Sequence, residues 1–480
     1  MTNRHCFLTR HRSVLCRSFV MAAVLLGFAL PAAAQQAGAA PPNCDFPRGW
    51  WENPTLAPLF GGPTQPPQTD CDFQLWAWSA FAHFVQAQVD QDNKFHLDNQ
   101  PMFLTLPTYN DLKPDGGRLS AVQAKALIHP RELMLLPRND QPQSLGSFQQ
   151  AGPFKGVLVD QNGRAVYYTT HMDQKFFDFT QQYFGPNNYK KASPTLDYPV
   201  GATVLKSSWR IVQPGEDTSN VFTTTATIAL LKNNGKGELE LSGKTQSGVK
   251  VALVGMHVVG VVPDHPEFVW ATFEHVGNAP VLTVDPHSSS PVSQQSFTFY
   301  KGGTPANQSN VRYDSMSIDE ATQAITPIAN VFAQFEFGGA PPGGVLPIQQ
   351  ANANFQGHIK TAPEPKTVPA RIPAIDSVFA NYRLVGSVWQ LPNSLKPGDG
   401  DMAQNAIGAI DLANSTLETF VQASGSNCFS CHRTTRGQTY PAKNINISHI
   451  ITSKLESNPA VQRARGIDNP LPALPAPLPR

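Results

Sequence analysis

After residue 30 the chain lacks any apolar run long enough to span a membrane, which takes about 20 residues, so no transmembrane anchor is expected in the mature protein. It also lacks a basic excess. The formal charge is +1 over 480 residues, and only 15% of residues are charged. Nucleic acids and acidic membranes are bound by concentrated basic surface, so neither is expected as a partner. No phosphate-binding Gly-Lys loop and no dinucleotide fingerprint occur. Cysteine is scarce, with six residues, and no methionine follows residue 402. Proline is plentiful at 43 residues, which favours many short elements and ordered loops over long helices.

The N-terminus has its own pattern. Arg4, Arg10, Arg12 and Arg17 form a basic leader without acidic residues, the apolar run FVMAAVLLGFAL follows, and then Pro31-Ala32-Ala33-Ala34-Gln35. This is the layout of a secretory signal peptide, residues 1–34, with cleavage expected near Ala34–Gln35. Export to the periplasm or the medium follows. The four arginines leave with the peptide, so 36 basic residues fall to 32 against 35 acidic ones, a net charge of −3.

Cys6 and Cys16 leave as well, and Cys44, Cys71, Cys428 and Cys431 remain. In an oxidising compartment Cys44 and Cys71 are expected to form a disulfide, worth about 3–4 kcal/mol in the chain-entropy model. The alternative is two buried free thiols.

The expected fold class is α+β: a sheet-rich, mainly antiparallel body with a helical C-terminal segment. Residues 35–70 read as a Pro/Gly-rich lead-in, and 72–90 as a helix with Asp72 as N-cap and Phe73, Ala77, Phe81, Phe84, Val85 and Val89 on a buried stripe. His83 within it reads as a core or edge histidine. Asp160-Gln161-Asn162-Gly163 marks a hairpin, and a helix is expected near 173–184. Strand-like runs are 203–212, 221–231, 237–241, 249–262, 268–274 and 296–300. Residues 35–337 would form the N-terminal helix and β-rich body, 338–374 a Gly/Pro-rich linker, 375–460 the C-terminal segment, and 461–480 a Pro-rich tail. Within 403–423, Ile407, Ile410, Leu417, Phe420 and Val421 suggest a helix that stops at Gly425.

Next comes Cys428-Phe429-Ser430-Cys431-His432, the C-x-x-C-H motif of covalent c-type haem attachment. Each thiol adds across one porphyrin vinyl group to form a thioether. Two intervening residues let one turn of backbone present both sulfurs, and His432 follows as the proximal iron ligand. One haem c is expected, since the motif occurs once. Zinc would need further paired ligands. A thioredoxin-like C-x-x-C would follow a strand, whereas here a helix is expected before it.

For the sixth iron position no methionine lies downstream, and Met402 lies upstream. His449 is the only histidine after the motif and is the first candidate distal ligand; His257 and His275 in the body are the others. Val251–Val262 reads as a buried strand interrupted by His257, with Glu274-His275 on the next strand. These polar residues could serve proton transfer, but a network that fixes strand pairing is the preferred reading.

The stretches VALVGMHVVGVVPDHPEFVWATFEHVGNAP (251–280), NYRLVGSVWQ (381–390), LANSTLETFVQ (412–422) and CFSCH (428–432), with the segment around Trp76 and Trp78 and VLKSSWRIV (204–212), resemble the large, exported, monohaem cytochrome c family proteins of bacteria. The resemblance implies haem c and a periplasmic home and supplies no substrate. Relatives often carry Met where Leu417 stands, which implies a core role for that residue here. Two functions follow as expectations: electron transfer through the haem with a redox partner, or a haem-dependent oxidoreductase whose β-rich body shapes a substrate pocket. A haem-based sensor is a third possibility without specific support.

Overall fold

The computed structural model describes residue 44 and residues 69–86, 100–112, 133–137, 151, 156–338, 345–361, 375, 377–436 and 439–457. The signal peptide and the Pro-rich tail of the sequence reading lie outside these residues. No helix among them is long and apolar enough to cross a membrane.

Helix α1, Asp70–Val85, begins two residues before the expected start at 72, and the expected continuation over 87–90, with Val89, lies outside the described residues. Thr69, not Asp72, is the N-cap: its hydroxyl accepts from the Asp72 amide, while the Asp72 carboxylate accepts from the Thr69 amide (2.9 Å), a capping box. Nearly every α1 side chain is buried, so the helix is a core element. Cys71, in its first turn, is joined to Cys44 with their Cα atoms 5.5 Å apart. The Cys44 carbonyl in turn accepts from Asn354 of helix α4, Val345–Thr361.

The main sheet has eight strands in the order β10-β9-β6-β5-β3-β2-β1-β4, with β4 also paired to β5. The strands are β1 Leu133–Pro137, β2 Tyr167–Met172, β3 Thr203–Ile211, β4 Thr223–Asn233, β5 Leu239–Val262, β6 His265–His275, β9 Tyr382–Trp389 and β10 Ile407–Gly408. Every pairing is antiparallel except β1 with β4. A small ribbon pairs β7, Ser317–Asp319, with β8, Ala324–Thr326. Because strand side chains alternate, β5 and β6 serve two layers at once. Val258, Met256, Ala271 and Phe273 face α1 and α4, where Phe81 stacks on Phe273 (4.4 Å) and Trp78 on Phe355 (4.0 Å). Val204, Val259, Trp270 and Val388 face the opposite way, onto the C-terminal segment with Phe429, Ile445 and Ile447.

Several elements differ from the sequence reading. The two strands expected at 237–241 and 249–262 are one 24-residue strand, with register shifts in its pairing to β4 across the stretch between them. Residues 296–300 make only an isolated bridge, Phe297 with Tyr300. The 338–374 stretch contains α4, and β9, from beyond it, pairs with β6, so the body and the C-terminal segment share one sheet. Residues 403–423 are not helical but hold β10 and turns. The helix expected near 173–184 is α2, Gln174–Tyr183, capped by Asp173, and α3, Pro186–Lys191, follows it. The 160–163 turn closes as expected, with the Gly163 amide donating to the Asp160 carbonyl and Val159 bridging Ala165.

Candidate functional site

Three successive cross-strand rows on one sheet face lie beneath the C-terminal segment. Val204–Val259–Trp270–Val388 is apolar, Lys206–His257–Thr272–Gly386 is mixed, and Ser208–Gly255–Glu274–Arg383 is polar. The polar row grips residues 414–418. Glu274, 2% exposed, accepts from Arg383 Nη2 (2.7 Å), the Ser415 amide (3.0 Å) and the Ser415 hydroxyl (2.7 Å). Asn414 donates to Thr272 Oγ1 and the Phe273 carbonyl, and Thr416 hydrogen-bonds Ser208 (2.7 Å). Gly255 is required here: a Cβ would stand 2.4 Å from Thr416 Oγ1 and 2.7 Å from Ser208 Oγ.

The motif follows as helix α5, Cys428–Cys431, a single turn. Asn427 caps it, accepting from the Phe429 amide while its own amide donates to Ser430 Oγ; the Asn427 side chain also donates to the Ala403 and Ile410 carbonyls. The turn is thereby pinned to the chain around β10. The His432 amide closes it onto the Cys428 carbonyl (2.9 Å). Phe429 is fully buried, Cys428 is half-buried and Cys431 is exposed, and neither thiol is in a disulfide. Burial, then the nearby Glu418 charge, pushes the Cys428 thiol above its ordinary range.

His432 Nδ1 lies 2.8 Å from the Ile447 carbonyl. A carbonyl only accepts, so Nδ1 carries the proton and Nε2 keeps its lone pair, the form an iron requires. Desolvation lowers the imidazole to about 3, so it is neutral at ordinary pH. These observations fit a c-type haem: two cysteines outside any disulfide on one turn, and a following imidazole fixed in the ligating tautomer.

His449 is brought to the same place. It caps the turn Asn444–Ser448 in a left-handed conformation (φ +61°), just before helix α6, Ile450–Ser457. Its ring stacks on that of His432, centroids 4.4 Å apart and planes 19° apart, and it hydrogen-bonds the Cys431 backbone. A distal role for His449 would require it to leave this stack, since its ring lies face to face with that of His432. On the other face of His432, the Trp270 ring lies 4.1 Å away.

His257 is directed to Glu418, Nε2 to Oε1 at 2.8 Å, both partly exposed. His275 has both ring nitrogens engaged, with the Asn220 carbonyl (2.8 Å) and the Gly277 amide (3.1 Å). Glu274 and His275 therefore act in separate networks. His83 contacts Phe84 and Gln86, the residue that caps α1, while Met402 and Leu417 are fully buried. Among the described residues no cluster of three or more His, Cys, Asp or Glu side chains is arranged to hold a metal ion. Comparisons with protein-family models, curated proteins and solved structures found no match to this chain.

Ile447, Trp270, Asn427 and the Glu274 grip were not read from the sequence as parts of the site. Asn427 had a signal, a capping residue directly before the motif. The Ile447 contribution is a backbone carbonyl and leaves no sequence trace.

Proposed function

We propose that the chain is an exported, periplasmic or secreted, c-type monohaem protein that transfers electrons to and from a redox partner. Cys428 and Cys431 hold the haem through thioethers and His432 is its proximal ligand. The observation that carries the reading is the Nδ1 contact of His432 to Ile447, directly after a one-turn C-x-x-C whose thiols are not joined. The bound haem supplies a one-electron couple. The protein's part is to tether it at two points, direct Nε2 at the metal and surround the motif with apolar side chains such as Phe429 and Trp270. The resemblance to bacterial monohaem cytochrome c family proteins supports the same cofactor and compartment. A second reading, a haem-dependent oxidoreductase, draws on the partly exposed His257–Glu418 pair on the sheet face that carries the motif.

The test is to express the chain with its leader in cells that attach haem c and extract the denatured protein with acid–acetone. Retained haem with a c-type pyridine haemochrome is expected. Cys428→Ala and Cys431→Ala should each shift the haemochrome toward that of a single thioether. Complete loss of haem from the wild type refutes the proposal.

A further inference from the structure

The His432 ring is constrained on three sides, by strand β6 and at two points by the turn that carries Ile447 and His449. Its Nδ1 edge meets the Ile447 carbonyl. One face meets Trp270, with planes 39° apart, and the other meets His449. Each flanking ring is itself fixed. The Trp270 indole is 6% exposed, and its Nε1–H donates to the Glu267 carbonyl at 2.9 Å. The intervening Phe268 is fully buried at φ +68°, a left-handed conformation that a bulky residue adopts only when its surroundings impose it. The Glu267 carboxylate is locked as well, to His265 (2.7 Å) and the Gln390 amide (3.2 Å). His449 is likewise held in a left-handed backbone, with its carbonyl capped by the Ser453 amide and the Thr452 hydroxyl. The preceding Ser448 is tied to Tyr198 at 2.7 Å. Trp270, two residues after the left-handed Phe268, and the left-handed His449 thus converge on one imidazole.

We infer that Trp270 and His449 are positioning residues that clamp the proximal imidazole between them, fixing the azimuth of the His432 ring about its bond to the iron. The inference rests on the haem c reading. It assigns His449 to the proximal side. The plane of an axial imidazole selects which iron d orbitals it overlaps, so a fixed azimuth means one ligand field in every molecule, whereas a free ring gives a distribution.

The experiment uses haem-loaded full-length protein: wild type, Trp270→Phe, Trp270→Leu, His449→Phe, His449→Ala and His449→Gln. Each is first checked by pyridine haemochrome and circular dichroism. Ferric electron paramagnetic resonance, midpoint potential and carbon monoxide binding to the ferrous form are then measured. Trp270→Leu and His449→Ala should broaden the ferric signal and shift the potential, while the flat-ring variants Trp270→Phe and His449→Phe stay close to wild type. Carbon monoxide reactivity should remain that of the wild type throughout. If His449→Ala does not fold, His449→Gln carries the same comparison. A new high-spin signal with newly gained carbon monoxide binding in both His449→Phe and His449→Gln overturns the clamp and makes His449 the sixth ligand. Unchanged spectra and potential in Trp270→Leu and in the non-aromatic His449 variants also overturn it. A wild type without a haemochrome fails at the first check, which separates loss of the cofactor reading from loss of the clamp.

Discussion

Replacing Glu274 by glutamine removes one charge and one acceptor from the point where residues 412–422 are fastened to the sheet. The carboxylate is 2% exposed and divides its work: Oε1 accepts from Arg383 Nη2 (2.7 Å) and Nε (3.3 Å), and Oε2 from the Ser415 amide and hydroxyl. An amide keeps only one acceptor oxygen, so whichever way it turns, its NH2 meets donors. Hydrogen bonds to a charged group are worth about 1.5–3 kcal/mol each, and removing one partner of a buried ion pair costs about 3–5 kcal/mol. Arg383 is 13% exposed and also reaches Glu336 at 3.4 Å, so it is not left stranded. The lower end applies, about 3 kcal/mol. Native-state hydrogen exchange reads this locally. At about 1.4 kcal/mol per tenfold, the Ser415 amide should exchange on the order of 100-fold faster, with the Phe81–Phe273 side of the sheet unaffected. Acceleration below about tenfold at Ser415, or equal acceleration throughout the sheet, would refute the reasoning that one carboxylate fastens this segment.

Replacing both Cys44 and Cys71 by serine opens a loop of 27 residues and should cost about 3.5 kcal/mol in the chain-entropy model, measured as a lower urea midpoint, with the bridge itself found by mass spectrometry of non-reduced peptides. Gly255→Ala should destabilise by about 1–3 kcal/mol, because its methyl displaces Thr416 and Ser208; an unchanged midpoint would mean that the close approach is dispensable. His171 is fully buried beside Phe103, and desolvation lowers its pKa to about 4. The unfolded chain, near 6.5, binds this proton first, so stability is complete above about pH 6.5 and is lost as pH falls toward 4, by about 3 kcal/mol. His171→Gln should remove that part of the acid slope, and parallel wild-type and variant curves between pH 7 and 4 would count against it.

Much of the sheet was legible because β3, β4 and β6 are short runs bounded by turn residues. The errors have physical causes. Gly243 and Gly248 have positive φ, which marks a bulge as readily as a turn. Here β4 stays paired alongside, so β5 passes through both positions with shifts of register. Helix α4 was hidden by Gly and Pro at its edge, yet Ile348, Ala351, Phe355 and Ile359 stand at helical spacing and are all buried. Pro347 lies in the first turn, where proline is tolerated. The opposite error befell 403–423. Its apolar residues have helical spacing, but Asn414, Ser415 and Thr416 spend their side chains on backbone and sheet partners, and such residues compete with helix formation.

The motif is local in sequence, but what gives His432 its orientation is not. Trp270 is 162 positions away and reaches the imidazole because it alternates with residues of β6 that face α1. A strand with period two can seal the α1 layer with Ala271 and Phe273 while offering Trp270 and Thr272 to the other face. The apolar run of β6 was read as a strand, but its burial on both faces says nothing about which alternate residue meets which partner. That choice is set by the register of β5, β6 and β9, which brings Val259, Trp270 and Val388 into one row. A one-residue slip of β6 would exchange the two faces. Trp270 would turn toward α1, and Glu274 would leave Ser415. The grip on residues 414–418 and the contact with His432 therefore depend on the same register.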